Sequence, residues 1–139
     1  MTTPRSSATD RGATVVASLA TCDRPRLAST LAADVRMRAL IPPGPIEVAG
    51  AEAVAAKLTA WFGDSEQLLV VRSGSEVVAD RLHIFYQLRV KRRGDAWKIV
   101  EQHLLCALAD DGITAIDLVC SGFRPDVANT QSLAAAYAA

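Results

Sequence analysis

The sequence carries no surplus charge of either sign. Its 15 Lys and Arg balance 15 Asp and Glu, so it lacks the basic excess of a general nucleic-acid binder and has no electrostatic pull toward an anionic membrane surface. No stretch approaches the ~18 to 20 apolar residues of a membrane-spanning helix, and the polar start from Met1 to Arg11 lacks the apolar core of a secretory signal. A cytoplasmic protein is therefore expected. Cysteine is scarce: Cys22, Cys106 and Cys120 are odd in number and show neither zinc nor redox spacing. They read as buried, reduced thiols, with a catalytic thiolate as the alternative. Histidine is scarcer still. His83 and His103 have no cluster of further ligands beside them, so no metal is expected. No Gly-rich phosphate loop and no Ser-His-Asp or Cys-His order is recognisable, so neither a cofactor nor covalent catalysis is expected.

What is present fits one domain of 139 residues. Half the residues are hydrophobic and 22% are charged, enough for a core and unlike a disordered chain. Residues 1–11, rich in Thr, Ser and Arg, read as a flexible arm. Residues 12–125 read as the domain and 126–139 as a tail, in which Ala134 to Ala139 resembles a frayed helix. Val15, Val16, Leu19 and Ala20 make a helical stripe over 12–22, with Asp10 placed to cap it. A second helix fits 24–33, capped by Asp23 with Pro25 in its first turn. A third fits 51–62, where Val54, Leu58, Trp61 and Phe62 fall on one face. A short strand fits 34–41, and Pro42-Pro43-Gly44-Pro45 is expected to stop regular pairing.

Beyond residue 64 the pattern turns to strands. Residues 67–72 form the first, broken at Ser73-Gly74-Ser75 and resumed at 76–79. Residues 82–91 alternate, with Leu82, Ile84, Tyr86, Leu88 and Val90 on one face and His83 on the other. Arg93-Gly94-Asp95 is a hairpin turn between this strand and one over 96–108, and Asp110-Asp111-Gly112 leads to a last strand over 113–121. Helices followed by hairpin-linked strands indicate an α+β fold.

Four short stretches carry a resemblance. Leu31-Ala32-Ala33-Asp34-Val35 is similar to a "Leu-x-x-Asp-Val" passage from helix to strand. Gly50-Ala51-Glu52-Ala53-Val54 is similar to a "Gly-x-Glu-Ala-Ile/Val" helix start. Gly94-Asp95-Ala96-Trp97-Lys98-Ile99 is similar to a "Gly-x-x-Trp-x-Ile" hairpin, and Asp111-Gly112-Ile113 to an "Asp-Gly-x-Ile" turn. In this order, over residues 12–123, they resemble the nuclear transport factor 2-like superfamily and its SnoaL-like members. The resemblance implies a cone: a curved, mostly antiparallel sheet packed on three N-terminal helices around an apolar cavity. It implies a cofactor-free isomerase, cyclase, dehydratase or epoxide hydrolase acting by proton transfer on an apolar cyclic substrate, or else a non-catalytic ligand-binding or dimerisation module.

Proton transfer requires a titratable group inside the cavity. In related proteins the Trp and Ile of the strand after the hairpin look inward, which here would turn Ile99, Glu101 and His103 inward too. The expected catalytic set is His103 as acid or base, Glu101 or Asp117 tuning it, and Tyr86 donating a hydrogen bond. Each has an alternative: a wet rim or dimer interface for Glu101 and His103, an Arg ion pair for Asp117, core packing for Tyr86. Trp61, Phe62, Met37 and Ile99 are expected to line the cavity, and Arg38, which alternates with Arg36, to hold a carboxylate at its mouth or lie exposed. SnoaL-like cyclases carry an acidic residue near the end of the last strand, where this sequence has Cys120 or Ser121. Lys91-Arg92-Arg93 reads as a solvated run. A homodimer is expected, formed through an outward row of Val100, Gln102, Leu104 and Cys106.

Overall fold

The computed structural model describes residues 5–126. The elements are α1 (Arg5–Ala20), α2 (Arg24–Ala28), β1 (Leu31–Ile41), β2 (Gly44–Ala49), α3 (Ala51–Ala60), β3 (Ser65–Val78), β4 (Arg81–Arg92), β5 (Lys98–Ala109), β6 (Gly112–Cys120) and β7 (Arg124–Pro125). Six strands form one curved sheet in the order β2-β1-β6-β5-β4-β3, with β7 paired to β5. β1 and β6 run parallel; the other pairs are antiparallel. The helices cover one face, α1 against β3 and β4, and α3 against β1 and β2, with α2 between the other two helices. This is the expected α+β arrangement.

α1 begins well inside the supposed arm, so residues 5–11 are helical; residues 1–4 and 127–139, with the rest of the arm and nearly all of the tail, lie outside the described residues. Asp10 is not a cap. Its carbonyl sits within the helix and accepts from the Thr14 hydroxyl at 3.1 Å. Gly12 marks where α1 presses on the sheet, since a Cβ there would lie 2.6 Å from Ser75 Cβ, and Ser75 Oγ donates to Thr9 O at 3.0 Å. α2 stops at Ala28 rather than 33. Asp23 caps it as expected, accepting from Arg26 N at 3.1 Å, but the Ser29 and Thr30 hydroxyls turn back onto Arg26 O and Leu27 O. They satisfy the last carbonyls and release the chain into β1.

Two expectations about breaks fail for local reasons. The proline run does not stop pairing: β2 follows directly, with Pro45 opposite Leu40. β2 is an edge strand, where the N–H that proline lacks is not needed by a neighbour. Nor does Gly74 interrupt β3. It lies opposite Phe85 in a ladder that is regular from Arg72 to Val78, and a Cβ there would come within 2.8 Å of that ring, so the glycine makes room for the aromatic side chain.

The core lies between the helices and the inner sheet face. It contains Val15, Leu19, Leu27, Val54, Leu58 and Phe62 from the helical side, with Met37, Leu82, Ile84, Tyr86, Leu88, Val100, Leu104, Cys106, Ile116 and Leu118 from the strands. Arg92, expected to be solvated, fastens one end of it. It donates to Asp64 at 2.8 Å and Trp61 O at 2.6 Å and lies 4.5 Å over the Phe123 ring, which meets Phe62 edge-on. The Arg92 hydrogen bond holds the Asp64 carboxyl below its ordinary range.

Candidate functional site

Strand pairing decides which side chains share a face, because directly opposed residues point the same way. β4 and β5 pair Tyr86 with Gln102, Ile84 with Leu104 and Leu82 with Cys106. Since Leu82, Ile84 and Tyr86 are buried under the helices, Gln102, Leu104 and Cys106 are buried with them. Ile99, Glu101, His103 and Leu105 therefore face outward. The inward orientation expected for Ile99, Glu101 and His103 is wrong by one residue, and so is the outward dimer row of Val100, Gln102, Leu104 and Cys106, which is core.

The sheet thus splits the expected site residues into two sets. Inside are Tyr86, Met37 and Phe62, all fully buried, with Trp61 half-buried against the core. Outside are His103, Glu101, Ile99, Asp117 and Arg38. The inner polar element is short. Tyr86 OH donates to Gln102 Oε1, and Gln102 Nε2 donates to Cys120 Sγ at 3.3 Å. Burial drives the Tyr86 phenol well above its ordinary range and the Cys106 thiol up to about 12. Both groups stay neutral across physiological pH, and the phenol is hydrogen-bonded to Gln102. Gln102 and Cys120 were not recognised as an inner pair, although β5 alone signals it: Val100, Leu104 and Cys106 make a more apolar row than Glu101 and His103.

The outer face carries the titratable groups. His83 Nε2 meets His103 Nδ1 at 3.0 Å. Their far nitrogens each meet a carboxylate: His83 Nδ1 lies 3.2 Å from Glu76 Oε1, and His103 Nε2 lies 2.8 Å from Glu101 Oε2. Arg72 extends the chain, 3.9 Å from Glu101 Oε1 and 5.3 Å over the Phe85 ring. Neutral rings donating to both carboxylates would turn bare nitrogens toward each other, which is repulsive at this distance. The central contact becomes a hydrogen bond when one further proton sits between the rings, or when one ring turns its N–H away from its carboxylate. The 3.0 Å spacing of the facing nitrogens is that of a hydrogen bond. No group of three or more His, Cys, Asp or Glu side chains able to hold a metal occurs among the described residues.

Farther along the same face, Asp117 accepts from Arg38 Nε at 2.9 Å, so its partner is an arginine of the neighbouring strand. That hydrogen bond, with the Asp117 charge, raises the Arg38 guanidinium above its ordinary value. Beside this pair an open trough of about 600 Å³ runs over the outer face, lined by Arg36, Arg38, Glu47, Ala49, Arg81, Ala115 and Asp117 among others. A shallower groove of about 390 Å³ adjoins it, with Leu40, Ile46 and Val119 on its walls. Arg38 was expected at a cavity mouth; it lines both of these outer depressions.

With the fold and its two faces described, solved structures show what this architecture is shared with. A protein of ketosteroid isomerase-like fold from Catenulispora acidiphila, solved with trimethylamine, superposes with a TM-score of 0.65 at 15% identity, over 78% of this chain and 83% of its own. An LEH-like epoxide hydrolase from M. tuberculosis gives 0.61 at 14% identity, over 84% of each chain. The fold is nuclear transport factor 2-like. A cystatin-fold protein from Novosphingobium aromaticivorans gives 0.63 at 14% identity, over 80% of this chain and 96% of its own. No protein-family model and no curated protein matches the sequence. At these identities the nuclear transport factor 2-like likeness concerns the backbone, and enzymes and binding proteins share it.

Proposed function

We propose that this protein is a non-catalytic small-molecule-binding module of nuclear transport factor 2-like fold. The observation that carries the reading is the parity of β5. A proton-transfer site under the helices needs an imidazole or carboxylate there, and the described inner strand face offers Tyr86, Gln102 and two thiols instead. His103, Glu101 and Asp117, the groups suited to such chemistry, are on the solvent side of the sheet. The trough over the outer face has the volume of a small-molecule site, ~300 to 1,000 Å³, and combines guanidinium and carboxylate walls with a small apolar floor. The same reading is consistent with a fold whose structural relatives include one solved with a bound small amine.

The test is exchange of carbon-bound protons in D2O on a panel of cyclic ketones. Exchange is expected at the buffer rate. Catalysed exchange that disappears in His103→Ala would restore the enzyme reading and overturn this one.

A second reading concerns self-association. Leu40, Val119 and Leu105 are 59%, 55% and 40% exposed and close together, Leu40 opposite Val119 and Leu105 opposite Asp117. A second copy across this patch would bury three large apolar side chains. The flanking Arg and acidic groups give a two-fold pairing unlike charges to match. Sedimentation velocity is expected to show a dimer that Val119→Lys dissociates; a monomer at all concentrations would remove the interface.

A further inference from the structure

We infer that the outer trough is a site for a small organic carboxylate, held between Arg36 and Arg81 with its apolar body over an alanine floor. This rests on the binding reading above and adds the chemical class of the ligand.

One row of outward side chains crosses four strands of the sheet. Arg36 is opposite Ala115, Ala115 opposite Ala107, and Ala107 opposite Arg81. The order is long, small, small, long. Three strand spacings separate the two arginine backbones by ~14 Å. Two methyl groups between them leave a gap that larger side chains would fill, and both arginines line the trough together with Ala115.

The charges in the trough are unequally engaged. Arg38 is committed to Asp117 at 2.9 Å and is also near Glu47, so one guanidinium here is shared by two carboxylates. Arg36 has no ion pair or hydrogen bond among the described residues, and Arg81 meets only Asp80, its chain neighbour, at 3.8 Å, with that carboxylate 93% exposed. Two guanidiniums are thus left facing a common space. Arginine presents parallel N–H donors that match a carboxylate's two oxygens. With three guanidiniums and two carboxylates on its walls, the trough carries one surplus positive charge, which a neutral ligand would leave unmatched. Bare phosphate would leave the alanine floor uncovered.

The experiment follows backbone amide shifts by NMR while cyclohexanecarboxylate, cyclohexanecarboxamide and inorganic phosphate are each titrated into the full chain. The carboxylate is expected to move the amides of Arg36, Ala115 and Arg81 and to bind at least tenfold more tightly than the amide or phosphate. Arg36→Gln and Arg81→Gln should each weaken the carboxylate about tenfold and leave the carboxamide unchanged, while Arg89→Gln, on the same face but outside the trough, should change neither. Carboxylate and carboxamide binding equally at the trough would overturn the anion assignment and leave the binding reading standing. Phosphate binding as tightly as the carboxylate would overturn the organic-acid class. Absence of any amide shift with all three probes would sink both readings, and shifts confined elsewhere would overturn this site.

Discussion

The two faces of β4 and β5 are built from the same residue kinds in opposite settings. Inside, Tyr86 and Gln102 are opposite one another, sealed by aliphatic side chains, and their hydrogen bond spares each from unsatisfied burial. One residue along, Phe85 and His103 are also opposite one another, yet they belong to a half-exposed network of imidazoles, carboxylates and Arg72 that water can share. Local sequence composition does not separate these pairs, because polar and aromatic residues occur in both. Position relative to the helices does. The same hydrogen-bond geometry specifies the core on one face and decorates a surface on the other.

Truncating neighbouring leucines on opposite faces gives the largest contrast. Leu104 is fully buried and Leu105 is 40% exposed. Leu104→Ala is expected to destabilise by ~2 to 5 kcal/mol through lost burial and a residual cavity, and Leu105→Ala by about 0.5 kcal/mol or less. Urea unfolding of both variants measures the contrast, and equal costs would mean that the parity assigned to β5 is wrong.

The inner polar pair sharpens it next. Tyr86→Phe leaves Gln102 Oε1 buried without its donor, and Gln102→Leu leaves the phenol in the same state. Each is expected to cost ~1 to 3 kcal/mol, and the double variant less than the sum, because removing both partners removes the unsatisfied group. A double-mutant cycle with additive costs would show that the two do not interact.

At neutral pH the inner face shows no such contrast; its pH dependence emerges only in alkali. Cys106 is pushed up to about 12 by burial. A thiol whose folded value is raised binds its proton more tightly folded than unfolded. Its contribution is complete below the ordinary value of 9.0 and is lost as pH rises from there toward about 12. Tyr86, raised in the same direction by burial, adds to the loss above its own ordinary value. Each group can steepen the fall by at most ~1.4 kcal/mol per pH unit. Unfolding midpoints measured from pH 8 upward should fall more gently in Cys106→Ala than in the parent.

Much of the architecture is legible from residue order. The alternation from Leu82 to Val90, the Asp23 cap with Pro25, the face of Val54, Leu58 and Phe62, and the turns at Gly94 and Gly112 are local signals, and each corresponds to an element observed. The site was less legible. Trp97 and Ile99 suggested an inward row by analogy, while the strand's own apolar row, Val100, Leu104 and Cys106, suggested the reverse and was correct. The Arg36, Ala115, Ala107, Arg81 row could not be seen, since its members come from four strands that are scattered in the chain and aligned only by pairing.

The sequence by itself determined the α+β class, the balance of charge and where most chain reversals fall, because capping, turn chemistry and hydrophobic period act over a few residues. Only the tertiary structure decided which side of each strand is wet and which side chains meet across strands. A shift of one residue in register exchanges every inward side chain for an outward one at little local cost, so that choice is made by the helices closing over one face and by contacts distant along the chain.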